Sequence, residues 1–202
     1  MTGHHTGEKI VLASNNAGKV REINQLLASQ QITVAPQREF AIPDAVEDGL
    51  SFVENAIKKA RHAASLSGLA SIADDSGIEV DALNGAPGIY SARFAGPGAS
   101  DQANLEKLLA ELSGVPEAER SARFQCLMVY MRHAEDPTPI ICQGTWEGRI
   151  LLEPCGDNGF GYDPVFYVPT HHCSAAELAS EVKNRLSHRG QALRKLLEAL
   201  SE

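Results

Sequence analysis

IADDSGIEVDALNGAPGIYSARFAG, residues 72–96, sets adjacent carboxylates, Asp74 and Asp75, behind small apolar residues and follows them with Ser76 and Gly77. Ile72, Ile78 and Val80 alternate around the acids, which predicts a half-buried strand. Neighbouring strand residues point to opposite faces, so without a bulge the two acids serve different surroundings. One is expected to be a site residue and the other a structural acceptor, because ionised acids beside a core need a positive or hydrogen-bonding partner. Asp-Ser-Gly is also good turn chemistry, and a charged connector is the alternative.

Upstream, residues 9–13 (KIVLA) form a short apolar strand that runs into Ser14, Asn15, Asn16, Ala17, Gly18 and Lys19. Val20, Ile23, Leu26 and Leu27 then repeat at helical spacing. Strand, small polar loop and helix is the arrangement that turns backbone N–H groups toward a phosphate, with Lys19 as a cation in the first turn. It is not a Walker A loop: Ala13 stands where its first glycine belongs, and Val20 replaces the magnesium-binding hydroxyl. An ordinary βα turn is the plain reading. Residues 32–35 are expected to be a second strand, and 36–43 a loop. Ser51 and Glu54 form a capping box that starts a helix at Phe52, burying Phe52, Ala56, Ala60 and Ala63. Asn55, Lys59 and His62 fall on one stripe of that helix. Glu47, just ahead of it, is placed to share a metal with Asp75 or to be a surface acid.

Downstream, Leu105, Leu108, Leu109 and Leu112 mark an amphipathic helix that ends near Gly114. Residues 123–131 are apolar on both faces and should form a central strand, paired antiparallel with residues 140–146. Trp146 is read as packing. Residues 156–164 (GDNGFGYDP) combine glycines, which allow close backbone approach, with Phe160 and Tyr162 as flat faces for a base. A strand connector is the alternative. Lys183 precedes Ser187, His188, Arg189 and Gly190, where Ser187 caps a last helix.

The net charge of -8 argues against a nucleic-acid surface, which needs clustered Lys and Arg. No apolar run approaches a membrane span and no signal peptide is visible, so a cytoplasmic protein without membrane partners is expected. The four cysteines contain no CxxC pair, which suits free thiols in a reducing compartment. Residues 171–173 (HHC) lack the further ligands of a tetrahedral metal site. Residues 1–8 read as a flexible leader and 9–202 as one two-lobed catalytic domain.

In order along the chain, SNNAGK (14–19), SFVENAIKKA (51–60) with Glu47 ahead of it, ADDSGIEVDALNGAPGIYSARFAG (73–96), GFGYDPVF (159–166) and KNRLSHRGQAL (183–193) resemble the inosine triphosphate pyrophosphatase family. The resemblance implies an elongated α/β fold with a mixed central sheet, two lobes with a cleft between them, and a homodimer. It implies magnesium-dependent cleavage of ITP, dITP or XTP to the monophosphate and pyrophosphate. It would have residues 14–19 bind the triphosphate, Asp75 serve as the catalytic acidic residue with Glu47 as its metal partner, and Ser76 touch substrate. Phe160, Gly161, Tyr162, Asp163, Lys183, His188 and Arg189 would hold the nucleoside. Lys19 and Lys59 would gather at the polyanion. Whether Asp75 is the base or only a metal ligand stays open. Arg189 offers only donors, which suits a keto oxygen at C6 and leaves adenine unmatched. A non-catalytic nucleotide sensor and a pyrophosphatase for modified pyrimidines are the alternatives.

Overall fold

The computed structural model describes residues 9–27 and 32–201; the leader expected over residues 1–8 lies outside them. Strands β1 (Lys9–Leu12), β2 (Thr33–Pro36), β3 (Ser71–Val80), β4 (Ser121–Met131), β5 (Ile140–Ile150), β6 (Phe166–Val168) and β7 (Cys173–Ser174) form one sheet in the order β2-β1-β3-β4-β5-β6-β7. β1 runs parallel to both β2 and β3, whereas β6 is antiparallel to β5 and to β7. The α/β class and mixed sheet expected from the sequence are therefore observed. Helices α1 (Ala17–Leu27), α2 (Phe52–Ser67), α3 (Asp101–Glu111), α4 (Ser180–Leu186) and α5 (His188–Ser201) complete the chain. None of the described helices is long and apolar enough to cross a membrane.

The chain divides into two packing units. The first comprises Met1–Asp75, Leu127–Gln143 and Ala192–Glu202. Its core sets Val11, Ala13 and Ala73 against Ala56, Ala60 and Ala63 of α2, with Ile42, Val129 and Met131. Beyond its first turn, alanines at 56, 60 and 63 let α2 lie close on the strands, each small face excluding water without needing a large side chain. Ser51 caps α2 by accepting from the Glu54 N–H, and Glu54 answers by accepting from the Leu50 N–H and the Ser51 hydroxyl. The capping box read from the sequence is thus present, with its return leg one residue further upstream. Within this unit β2 and β3 flank β1, so the crossover from β1 runs to one side and the next, from β2, passes back to the other. Ligands of open α/β sheets gather at the carboxyl ends of strands at such a reversal.

The second unit comprises Ser76–Cys126 and Gly144–Gln191. Its core joins Ile78 and Val80 to Leu105, Leu108 and Leu112 of α3, and to Phe124, Trp146, Tyr162 and Phe166. Trp146 is 6% exposed and meets Phe166 at 5.1 Å between ring centroids, which bears out its reading as packing.

β4 is the middle strand of the sheet, as its two apolar faces predicted. β3 departs from the half-buried strand expected of it: eight of its ten residues are buried. Its place between β1 and β4 explains the difference, since a strand with neighbours on both edges and cover on both faces buries its polar residues too. β5 extends four residues beyond the end expected at Trp146, to Ile150. A further helix, α4, stands just ahead of α5.

The α4–α5 junction depends on one glycine. A Cβ at Gly190 would fall 1.8 Å from the Asn184 carbonyl oxygen, which is backbone and has no room to yield. Gly190→Ala is expected to cost about 3 kcal/mol or more, and so to lower Tm by roughly 10 °C in a chain of this length. A melting temperature within a degree or two of wild type would show that the junction opens without penalty.

Candidate functional site

β1 ends at Leu12, opposite Ile72 of β3, and the Ala13 N–H still bonds the Ile72 carbonyl at 2.8 Å. Beyond that point the chains part. β1 gives way to the loop at Ser14–Asn16, while β3 continues through Asp74 and Asp75. Both acids therefore stand at the carboxyl end of β1, beside the loop that opens α1. Asn16 caps that helix by accepting from the Lys19 N–H at 3.1 Å, and Ser14 accepts from the Asn16 N–H at 3.2 Å. Asn15 donates to Asp44 at 2.7 Å, and Asp44 also accepts from Gln37. The loop is tied down at each polar side chain, and Ala17 and Gly18 form the first helical turn.

Each acid has its own lysine. Asp74 pairs with Lys19 at 2.9 Å, and its side chain is wholly buried. Asp75 pairs with Lys59 of α2 at 2.8 Å, and Glu47 approaches the same ammonium at 3.5 Å. Asn55, one helical turn before Lys59, donates to the other oxygen of Asp75 at 3.4 Å. Its amide oxygen accepts from the Gly49 N–H at 2.8 Å, which anchors the loop that carries Glu47. The stripe read on α2 is therefore used for Asn55 and Lys59, whereas His62 contacts the Pro43 carbonyl instead.

Burial pushes the Asp75 carboxyl above the usual carboxylate range; Lys59 and Lys19 pull it down, and the negative charge of Glu47 adds to the rise. Burial works against the Lys59 ammonium as well. The charges of Asp75, Asp74 and Glu47 outweigh it and hold the lysine above its ordinary value. Three carboxylates, Asp74, Asp75 and Glu47, meet two ammonium groups here, Lys19 and Lys59.

In the second unit, Ser76 accepts from the Arg189 guanidinium at 3.0 Å. Arg189 is 2% exposed and lies over the Phe160 ring at 5.8 Å, with Lys183 over the same ring at 5.0 Å. Asp163 pairs with Lys183 at 2.6 Å and accepts from the Phe160 N–H. Gly159 has a φ of 78°, and a Cβ there would lie 2.1 Å from the Asp163 carboxylate, so only glycine lets the loop fold back on this acid. Ser187 accepts from the Gly190 N–H at 3.1 Å, as its capping role required.

One aromatic expectation needs correction. Tyr162 was expected to offer a flat face, but it packs in the core and donates its hydroxyl to the Ser91 carbonyl at 2.7 Å. A large apolar ring next to a core is worth more buried than exposed, and its hydroxyl finds an acceptor there. The His188 side chain stacks on Phe124 at 4.7 Å between ring centroids. Position 188 opens α5. Sequence reasoning missed Asp44, Ser91 and Asp101. Asp101 accepts from the Gly161 N–H at 2.9 Å, so it and Ser91 anchor the aromatic loop from 60 and 71 residues away. Separations of that size leave no local signal.

Among the described residues, no group of three or more His, Cys, Asp or Glu side chains is arranged to hold a metal by itself. Glu47 and Asp75 still converge on one point, the Lys59 ammonium. Two carboxylates suit magnesium, which keeps several waters and takes further oxygens from phosphate.

Known proteins resemble the chain over nearly its whole length. A dITP/XTP pyrophosphatase of Thioalkalivibrio sulfidiphilus is 62% identical over 192 residues, 95% of this chain and 98% of that protein. One from Vibrio vulnificus is 61% identical over 195 residues, 96% of this chain and 98% of its own. The solved structure of a HAM1 protein from Coxiella burnetii superposes with a TM-score of 0.89 at 51% identity, covering 96% of this chain and 98% of that one. The Ham1 family profile matches residues 10–199, from β1 almost to the end of α5. The resemblance carried by the motifs is therefore one of descent across the whole fold, and the chain belongs to the Ham1 family.

Proposed function

We propose that this protein hydrolyses non-standard purine nucleoside triphosphates, ITP, dITP and XTP, to the monophosphate and pyrophosphate, removing them from the nucleotide pool. The observation that carries the reading is the convergence of Asp75 and Glu47 on Lys59 beside the β1–α1 loop. The dITP/XTP pyrophosphatases to which the chain is similar over nearly its full length support it.

In this reading Ser14, Asn15, Asn16, Ala17 and Gly18, with the N-terminus of α1, receive the triphosphate through N–H and side-chain donors. Lys19 and Lys59 supply positive charge against the phosphate oxygens. Glu47 and Asp75 would hold magnesium, which when bound neutralises the polyphosphate and the charge that builds on the leaving pyrophosphate. Asp75 would take the proton of the attacking water or fix that water's position. In the second unit, Phe160 supplies an apolar face for the base, with Gly161 shaping the backbone beside it. Asp163 and Lys183 fix that ring, and Tyr162 anchors the loop. Ser76, Arg189 and the start of α5 at His188 present donors to the base.

A homodimer and a cytoplasmic location, where the nucleotide pool is held, belong to the same proposal. The deciding measurement is product analysis across a nucleotide panel with Mg²⁺. ITP and XTP should each release pyrophosphate and a monophosphate, with no orthophosphate, while ATP turns over at least about a hundredfold more slowly. Binding without product would make the chain a sensor. Equal turnover of the standard triphosphates would remove the specificity claim.

A further inference from the structure

Lys59 sits where a metal ion would have to compete with it. One ammonium spans both carboxylates to which a divalent ion has been assigned above, at 2.8 Å from Asp75 and 3.5 Å from Glu47. The lysine side chain is 11% exposed and that of Asp75 is 7%, so little water screens the contact. Asp75 has little freedom to take a cation elsewhere. Asn55 fixes Asp75 from its other oxygen and, through the Gly49 N–H, fixes the loop of Glu47. A divalent ion bound to the same oxygens at about 2.1 Å would lie against the ammonium, where like charges repel. Magnesium also gives up its waters reluctantly. Asp74, Asp75 and Glu47 against Lys19 and Lys59 leave a formal charge of only -1, too little to hold a free divalent ion well. A triphosphate changes that balance, because its oxygens can take both the ammonium and the metal.

We infer that Lys59 is an internal counter-cation that keeps the Glu47–Asp75 pair weak toward free metal, so that the metal enters with the triphosphate and not ahead of it. This rests on the metal reading above, and the experiment separates the two. Mn²⁺ alone is titrated into the full chain, with the free ion followed by its electron paramagnetic resonance signal. Wild type should bind it weakly, and Lys59→Met about tenfold or more tightly, because one opposing charge has gone. Adding Glu47→Gln to Lys59→Met should remove the gain. If the methionine variant does not melt cooperatively, Lys59→Gln makes the same comparison, keeping N–H donors toward Asp75 without the charge. Equal Mn²⁺ affinity in wild type and variant overturns the inference, as does tight binding by nucleotide-free wild type. The metal reading still stands in either case, provided wild type holds Mn²⁺ in the presence of a non-hydrolysable ITP analogue. No Mn²⁺ bound even with that analogue removes the metal reading, and the inference with it.

Discussion

Asp75→Asn should lower kcat on ITP by about a thousandfold or more, the range expected when a group handling the reacting proton is lost. The substitution keeps the shape of the side chain and an oxygen that accepts from Lys59. Only the charge goes, and with it the ability to take a proton or hold a metal. Asn55 is fixed by the Gly49 N–H, so its amide nitrogen must go on facing position 75. One donor then meets another at that long contact, a small penalty beside the pair that survives. Cooperative melting near the wild-type temperature would therefore accompany the loss of turnover. Binding of ITP without metal should persist or tighten, because a negative charge beside a polyanion has been removed.

The pH dependence has a fixed sign. Asp75 is raised above the ordinary carboxylate value, chiefly by burial, so it is ionised only above that raised pKa. Wild-type kcat/KM should fall on acidification at a higher pH than an unperturbed aspartate would give, and the asparagine variant should lack this limb. The stability term runs the other way. A carboxyl that holds its proton more tightly when folded contributes stability below its unfolded pKa, and that contribution is lost as pH rises through the raised value. Turnover by Asp75→Asn within tenfold of wild type would remove Asp75 from the chemistry.

The same residues show what a linear sequence can disclose. The acids of β3 were visible as a pair, because adjacent carboxylates in an apolar run are costly wherever they lie. Which lysine each would meet was not visible. Asp74 finds Lys19 from α1, 55 residues away, and Asp75 finds Lys59 from α2, 16 residues away. Both pairings depend on β1 lying between β2 and β3, a tertiary fact with no periodic trace. The start of α2 was legible to the residue because its cap is local. α4 was not, since seven residues that run straight into the Ser187 cap give too short a period to recognise. Loop 156–164 was read from composition only. The apolar ring of Phe160 is partly exposed while Tyr162 is buried, a choice made by Ser91 and the second core.

Arg189→Gln should cost about a hundredfold in kcat/KM on ITP while leaving ATP turnover unchanged or raised, which collapses the preference between them. A guanidinium has donors and no acceptor, so it satisfies a keto oxygen at C6 and stays unmatched before an amino group. At 2% exposure Arg189 has little water to make up the difference, and a buried donor left unmet carries its full desolvation penalty. Glutamine keeps a donor for the Ser76 hydroxyl and adds an acceptor that an adenine amino group can use. The guanidinium also lies over Phe160 at 5.8 Å, so part of the loss on ITP should come from a looser ring. That part would weaken ITP and ATP alike. The ratio of the two therefore isolates the hydrogen-bonding role from the packing one. A fall shared equally by both nucleotides would make Arg189 a prop for Phe160 and leave base selection to another residue.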